Sequence, residues 1–474
     1  MNSDFYREKF YDEKMKRLYL ACTLFFCTAL GVMWLFGHSH KEQSLAISHP
    51  AEDLAWIRKL LIEYQELSWL TKNDVHVTPE NEVHNPKNSY SFKLFGANFP
   101  EFDRTIMTLN CLNLFLDGKY EDYLQLVYLQ PEADRLEWKS FLDIQRNIHS
   151  ILQNMDQAKQ KETRKVLEIA LILGDVVKTK NVEKLASQKG ILISDYDCSY
   201  RLILTSCPEI FPSYEKLSGY GKELLYKLSF QRCFGYIAHL ESGAELFSLL
   251  KNGNLLTKDE EIFDLALFVY QCDVGGALGH VDAPSSIAYN EQSHLIANAV
   301  KEACLCLKHQ DESAAFERYL IIRADWLGFD ITSPLNRVLA RIGAMLRLTK
   351  PDEGKMLKES FLKLPPDDLS LIVDAFNIPK GDIKTKISMY IPAVLVNLSN
   401  NMMLGSKKKE RLSQTIHIGL PFIAKVLNSY KMSKSPVKTL NFDEVAKVAR
   451  EEPTRLAKDH YSVDSFGHII LSSP

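Results

Sequence analysis

Apolar and polar positions recur at helical spacing along most of this chain. Residues 54–67 place Leu54, Ile57, Leu60, Leu61, Tyr64 and Leu67 three and four residues apart, the pattern of one buried helix face. From about residue 101 to residue 450 the same period dominates. Strand-like alternation is confined to 190–194 and 466–471. The run IFDLALFVY, residues 262–270, is apolar nearly all round and predicts a central buried helix, with Thr257 and Glu260 spaced as a capping box ahead of it. Ser333 before Pro334 predicts an N-cap with proline in the first turn. Asn441 with Glu444 opens a predicted helix over 442–450, and Pro365–Pro366 break the chain between two helical stretches. Residues 77–100 hold Pro79, Asn81, Asn85, Pro86, Asn88 and Pro100 and read as a loop. No repeat at a fixed period is present, so a regular solenoid is not expected.

Residues 18–37, LYLACTLFFCTALGVMWLFG, stand apart because they carry no charge. A helix of that length rises about 30 Å, the thickness of a bilayer's hydrocarbon. The bases Arg7, Lys9, Lys14, Lys16 and Arg17 precede this stretch, and only Lys41 follows it closely. The positive-inside rule then places the N-terminus in the cytoplasm. The sequence therefore predicts a mainly α-helical, single-pass membrane protein with an uncleaved signal anchor and the lipid bilayer as one partner. Its expected parts are a cytoplasmic tail (1–17), a transmembrane helix (18–37), a juxtamembrane helix and polar loop (38–100), a helical core (101–350), a C-terminal helical region (351–450) and a tail (451–474).

Composition narrows the function classes. Lys and Arg number 57 against 60 Asp and Glu, a net charge of −3, so no nucleic-acid partner is expected. A mean hydropathy of −0.16 excludes a polytopic membrane protein. The nine cysteines are scattered through helical patterns and form no disulfide framework. Residues 401–450 are locally basic, which reads either as solvated helix faces or as contact with anionic lipid or an acidic protein.

The chain has no P-loop, no nucleophile elbow and no C-x-x-C pair. Gly275, Gly276 and Gly279 follow a predicted buried helix rather than a strand, so they lack the context of a dinucleotide loop. What remains is a series of His and Asp residues on predicted helices: His149, Asp175, His239, Asp273, His280, His294 and Asp325.

This order and spacing, over about residues 140–350, resembles the HD superfamily of metal-dependent phosphohydrolases. The resemblance implies an all-helical HD-like core, with His149 as a first ligand and ALILGDVVKT (170–179) as the doublet helix carrying Asp175. It implies His239 on a third helix, His280 or His294 as later ligands, and Asp325 or Asp273 as the terminal aspartate. A divalent ion (Mn, Fe, Co or Zn) held there would activate a water. One position departs from the pattern: Gly174 stands where the doublet histidine belongs. Structural alternatives exist for each residue, among them a helix cap for Asp175, a core histidine at His239, and an ion pair with Arg323 or Arg337 for Asp325. The departure favours a non-catalytic binding or regulatory module with a protein partner. The other readings are an active phosphohydrolase or phosphodiesterase and an accessory component of a secretion-type membrane assembly.

Overall fold

Helix signals written locally in the sequence account for most of the boundaries observed. The computed structural model describes residues 50–72, 75, 89–191, 193, 196–256, 260–281, 285–381, 387–432, 439–458 and 460–472. In chain order the first helices are α1 (Pro50–Glu63), α2 (Tyr90–Phe95), α3 (Pro100–Asp117), α4 (Tyr120–Val127), α5 (Trp138–Gln153), α6 (Gln157–Val176) and α7 (Lys180–Gln188). There follow α8 (Tyr196–Ser206), α9 (Pro212–Glu215), α10 (Gly219–Leu228), α11 (Arg232–Ala238), α12 (Glu245–Asn252), α13 (Glu260–Gly276) and α14 (Glu291–Leu305). The last are α15 (Glu312–Leu327), α16 (Pro334–Met345), α17 (Pro351–Phe361), α18 (Pro366–Phe376), α19 (Ile391–Asn400), α20 (Lys408–Met432) and α21 (Asp443–Glu451). Strand β1 (Ile387–Met389) pairs in parallel with β2 (Thr439–Asn441), and β3 (His460–Val463) pairs antiparallel with β4 (Ile469–Ser472). The protein is mainly α-helical, and residues Asp53–Pro474 form one compact unit.

Capping chemistry sets the ends of the helices that matter most for function. Helix α3 opens with Pro100 and two first-turn acids, and it closes at Gly118, whose φ of 64° only glycine adopts without strain. Asp156 caps α6 by accepting from the Lys159 amide. Ser333 caps α16 through the Asn336 amide ahead of Pro334, as its sequence predicts. Helix α13 is buried along Phe263 and Leu265–Cys272, so the expected central helix is present; Thr257 lies outside the described residues.

Several expectations need correction. Among the described residues no helix is long and apolar enough to cross a membrane. The longest helices, α20 with 25 residues and α6 with 20, each present a charged side to solvent: Lys408, Lys409 and Arg411 in α20, Lys161, Arg164 and Lys165 in α6. The described residues therefore do not support the single-pass, membrane-anchored architecture, the signal anchor or the bilayer as a partner; the segment 18–37 on which they rested lies outside the described residues. The expected loop 77–100 contains the short helix α2, whose N-cap Ser89 accepts from the Phe92 amide. Residues 451–474 are not merely a tail, because they supply the β3–β4 hairpin. Asn441 lies in β2, and its side chain accepts from the Asp443 amide at the start of α21.

Helices α3 and α13 pack at very short range, and small residues make this possible. A Cβ added to Gly276 would stand 2.7 Å from the Arg104 carbonyl oxygen, and one on Gly279 would stand 2.9 Å from that of Asp103. Gly276 and Gly279 therefore serve backbone approach, and Gly275 leaves room for the Cys111 side chain of α3; together they bring Arg104 of α3 beside Asp273 of α13. A Gly276→Ala substitution should cost about 1–3 kcal/mol through forced separation of the two helices. Urea melts of the variant check this, and a midpoint equal to wild type would refute the close-approach role.

Candidate functional site

Three acids and three bases from four helices meet beneath a cleft. On α3, Glu101, Arg104 and Thr105 share one face, since residues three and four apart are neighbours on a helix. Helix α6 ends at Val176, so Asp175 lies in its last turn and Lys178 just beyond it. Lys178 Nζ sits 2.7 Å from Glu101 Oε2 and 2.8 Å from Asp175 Oδ1. Thr105 Oγ1 donates to Asp175 Oδ2 at 2.8 Å. Arg104 Nε lies 4.0 Å from Asp175, and Arg104 Nη2 reaches Asp273 Oδ1 at 3.2 Å. Arg232, the first residue of α11, approaches the other Asp273 oxygen at 3.4 Å.

Asp175 and Glu101 are each 1% exposed and both meet Lys178, and a buried carboxylate left without such a partner would be costly. Burial alone would raise the Asp175 pKa, but Lys178, Arg104 and Arg232 together hold it well below the usual carboxylate range. Asp175, Asp273 and Glu101 likewise hold Arg104 protonated against the effect of burial.

The structure divides the sequence-predicted site residues. Asp175 and Asp273 come together through Arg104, and His239 lines the same cleft as Asp273. His149 does not join them. Its Nε2 meets the Leu116 carbonyl at 2.8 Å, near the C-terminal end of α3 and roughly 16 Å along that helix from Thr105. His280 is fully buried in the turn after α13 and does not line the cleft. His294 is a core histidine, placed between Tyr289 Oη and Asn298 Nδ2. Asp325 is exposed on α15.

The residues present do not fit a divalent metal. Among the described residues no group of three or more His, Cys, Asp or Glu could hold one. Asp175 and Asp273 are engaged instead by the guanidinium groups of Arg104 and Arg232, and Asp175 also by the Lys178 ammonium. A Cβ on Gly174 would lie 3.3 Å from Arg232 Nη1, so a guanidinium occupies the space into which a doublet histidine would project.

The cleft above this cluster has a volume of about 830 Å³. Arg104, Lys178, Arg232 and His239 line it on one side, with Arg347 from the turn after α16. Burial, Arg347 and Arg323 push the His239 pKa down to about 3, so its ring is neutral in a positive field. Tyr270 lies between the two electrostatic regions: burial raises its pKa, Asp273 adds to that, and Arg347 and Arg323 oppose it. Arg104 Nε, Gln231 Oε1 and His239 Nδ1, all on cleft-lining residues, are buried without a hydrogen-bond partner among the described residues.

Two arginines hold this wall in place: Arg323, expected from sequence only as an ion-pair partner for Asp325, and Arg341, which no motif singled out. The carbonyls at the end of α11 have no helical donor of their own. Arg323, fully buried, donates to the Ala238 carbonyl, and Tyr319 Oη donates to it at 2.8 Å. Arg341 donates to the carbonyls of Leu240, Glu241 and Phe376, each at 2.9 Å. Burial lowers the Arg341 pKa to about 10, which leaves it charged at neutral pH. Leu240, in the middle of this turn, has a φ of 50°, a left-handed conformation that the surrounding hydrogen bonds over-determine. The available signal was a lone base inside an apolar run, as in YLIIRADWL and VLARIGAM.

The chain belongs to a family of unknown function (DUF6829), whose model matches residues 62–453 and so spans the whole cleft. No curated protein and no solved structure matches it.

The two aspartates weighed for the metal site should behave oppositely. Asp175→Asn leaves Lys178 and Arg104 short of a buried counter-charge and should cost about 3 kcal/mol. Asp325→Asn should stay within about 0.5 kcal/mol of wild type, as surface changes do. Denaturant midpoints decide, and equal effects would refute the assignment. His239 supplies a pH test. Its folded pKa lies below the ordinary 6.5, so its contribution to stability is complete above that pH and is lost as pH falls toward about 3. Wild type should therefore lose melting temperature relative to His239→Gln across that window, whereas parallel curves would refute the burial of a neutral ring.

Proposed function

We propose that this protein is a binding module for a small organic anion, held without a metal in the cleft lined by Arg104, Arg232 and Arg347. The observation that carries the reading is the joining of Asp175 and Asp273 by guanidinium groups beneath an open cleft of ligand size. Guanidinium groups stay charged at any ordinary pH and present planar forks of donors suited to carboxylate and phosphate. Arg347, whose charge also disfavours a proton on His239, adds to this attraction from the turn after α16.

The resemblance to HD phosphohydrolases enters at one point only. The doublet position, Gly174–Asp175, is buried behind the bases that line this cleft, and an arginine takes the place of the expected ligand. Hydrolysis is the weaker reading. The donor set does not suit a metal that would activate water, and an imidazole with a pKa of about 3 is a poor general base at neutral pH.

Calorimetric titration of the full chain with inorganic phosphate and pyrophosphate tests the proposal. Binding should weaken as salt rises, and it should fall about tenfold in Arg347→Gln, equal to about 1.4 kcal/mol. Excess EDTA should leave it unchanged. Binding of neither anion at millimolar concentration, or the same affinity in the variant, would overturn the proposal.

A further inference from the structure

We infer that the anion taken by this cleft carries an aliphatic chain, making it an amphipathic molecule such as an alkyl phosphate. This rests on the reading above that the cleft binds an anion, and it names the remainder of the ligand.

The cleft is chemically divided along its helices. On α13, Tyr270 stands three residues before Asp273 and four before Val274, so the three share one face, and all of them line the cleft with Ala277 in the turn that follows. The first two lie in the region of the arginines. The next two are aliphatic, and Leu278 continues that surface. Charge gives way to hydrocarbon at the C-terminal end of α13, where Val274 follows Asp273 directly. Helix α19 contributes Ala393 and Val396, and Ile287 precedes α14 on the same cleft. By contrast α11 presents Arg232, Tyr236 and His239 and forms the polar wall.

Burial separates this aliphatic surface from the ordinary core. Most large aliphatic residues of α13, such as Leu265, Leu267 and Val269, are sealed inside. Val274, Ala277, Leu278, Ile287 and Val396 are only half-buried, and the side they leave open lines the cleft. An alkyl chain would remove that surface from water, with its charged head at the arginine end. Asn290, Gln292, Ser293, Asn397 and Asn400 also line the cleft, so a hydroxyl-rich anion such as a sugar phosphate is the competitor that the alkyl chain must outbind by removing this hydrocarbon from water. The volume of about 830 Å³ lies within the range of sites that enclose such ligands.

The test is a series of methyl, butyl, hexyl and octyl phosphate, with glucose 6-phosphate and inorganic phosphate alongside, titrated into the full chain by calorimetry. Affinity should rise about three- to fourfold for each added methylene that is buried. The heat capacity change should grow more negative along the series. Val396→Gln should flatten the dependence on chain length. Octyl phosphate binding no more tightly than methyl phosphate, or glucose 6-phosphate binding more tightly than octyl phosphate, would overturn this inference while leaving the anion site standing. Binding of none of the six would instead remove the anion site, and this inference with it.

Discussion

A balanced knot of buried charge organises this molecule. Glu101, Lys178, Asp175, Arg104, Asp273 and Arg232 sum to zero and tie α3, α6, α11 and α13 together at one place. Such a cluster is a poor source of net stability, since an apolar core of the same shape could be as stable. Its effect is on arrangement. Each ion must find its partners or stand unpaired in a medium where that is costly, so the four helices have one favourable register. The glycines of α13 make that register reachable by allowing its backbone against α3.

Pairing the aspartates with guanidinium groups has chemical consequences. A divalent ion joined to the same carboxylates would offer an open coordination position and a water made acidic. Guanidinium offers neither. It offers fixed positive charge and oriented donors, which suit capture of an anion better than cleavage of a bond. The low pKa of His239 comes first from burial, and Arg347 and Arg323 add to it by repelling a proton from the ring.

The cleft depends on parts of the chain far from that knot. Its walls include Tyr390 and Val396 as well as Arg450 of α21. Hydrogen bonds from Ser388 Oγ to the Glu241 carbonyl and from the Tyr390 amide to Glu241 Oε2 fasten β1 and the start of α19 to the turn that bears His239. Arg323 and Arg341 brace that turn from behind. One short stretch, Ala238–Glu241, is thus addressed by α15, α16 and β1 together. Part of the basic segment 401–450 is paired within the chain: Lys408 and Lys409 meet Glu353 and Glu359, and Arg411 donates to the Ser399 carbonyl.

The sequence by itself determined the helical class, the buried character of α13, the capped and proline-marked start of α16 and the amphipathic face of α1, because caps and periodicity act within one or two turns. It also pointed to Asp175, His239 and Asp273, since a polar group next to an apolar run stands out locally. Only the tertiary structure decided that His149 and Asp325 lie apart from them, that His280 and His294 are core residues, and that Arg104, Arg232 and Lys178 hold the aspartates. Those pairings join residues as far apart as Arg104 and Asp273. Which of many bases meets which acid is settled by how closely helices can approach, and here three glycines and a set of buried carbonyls set that distance.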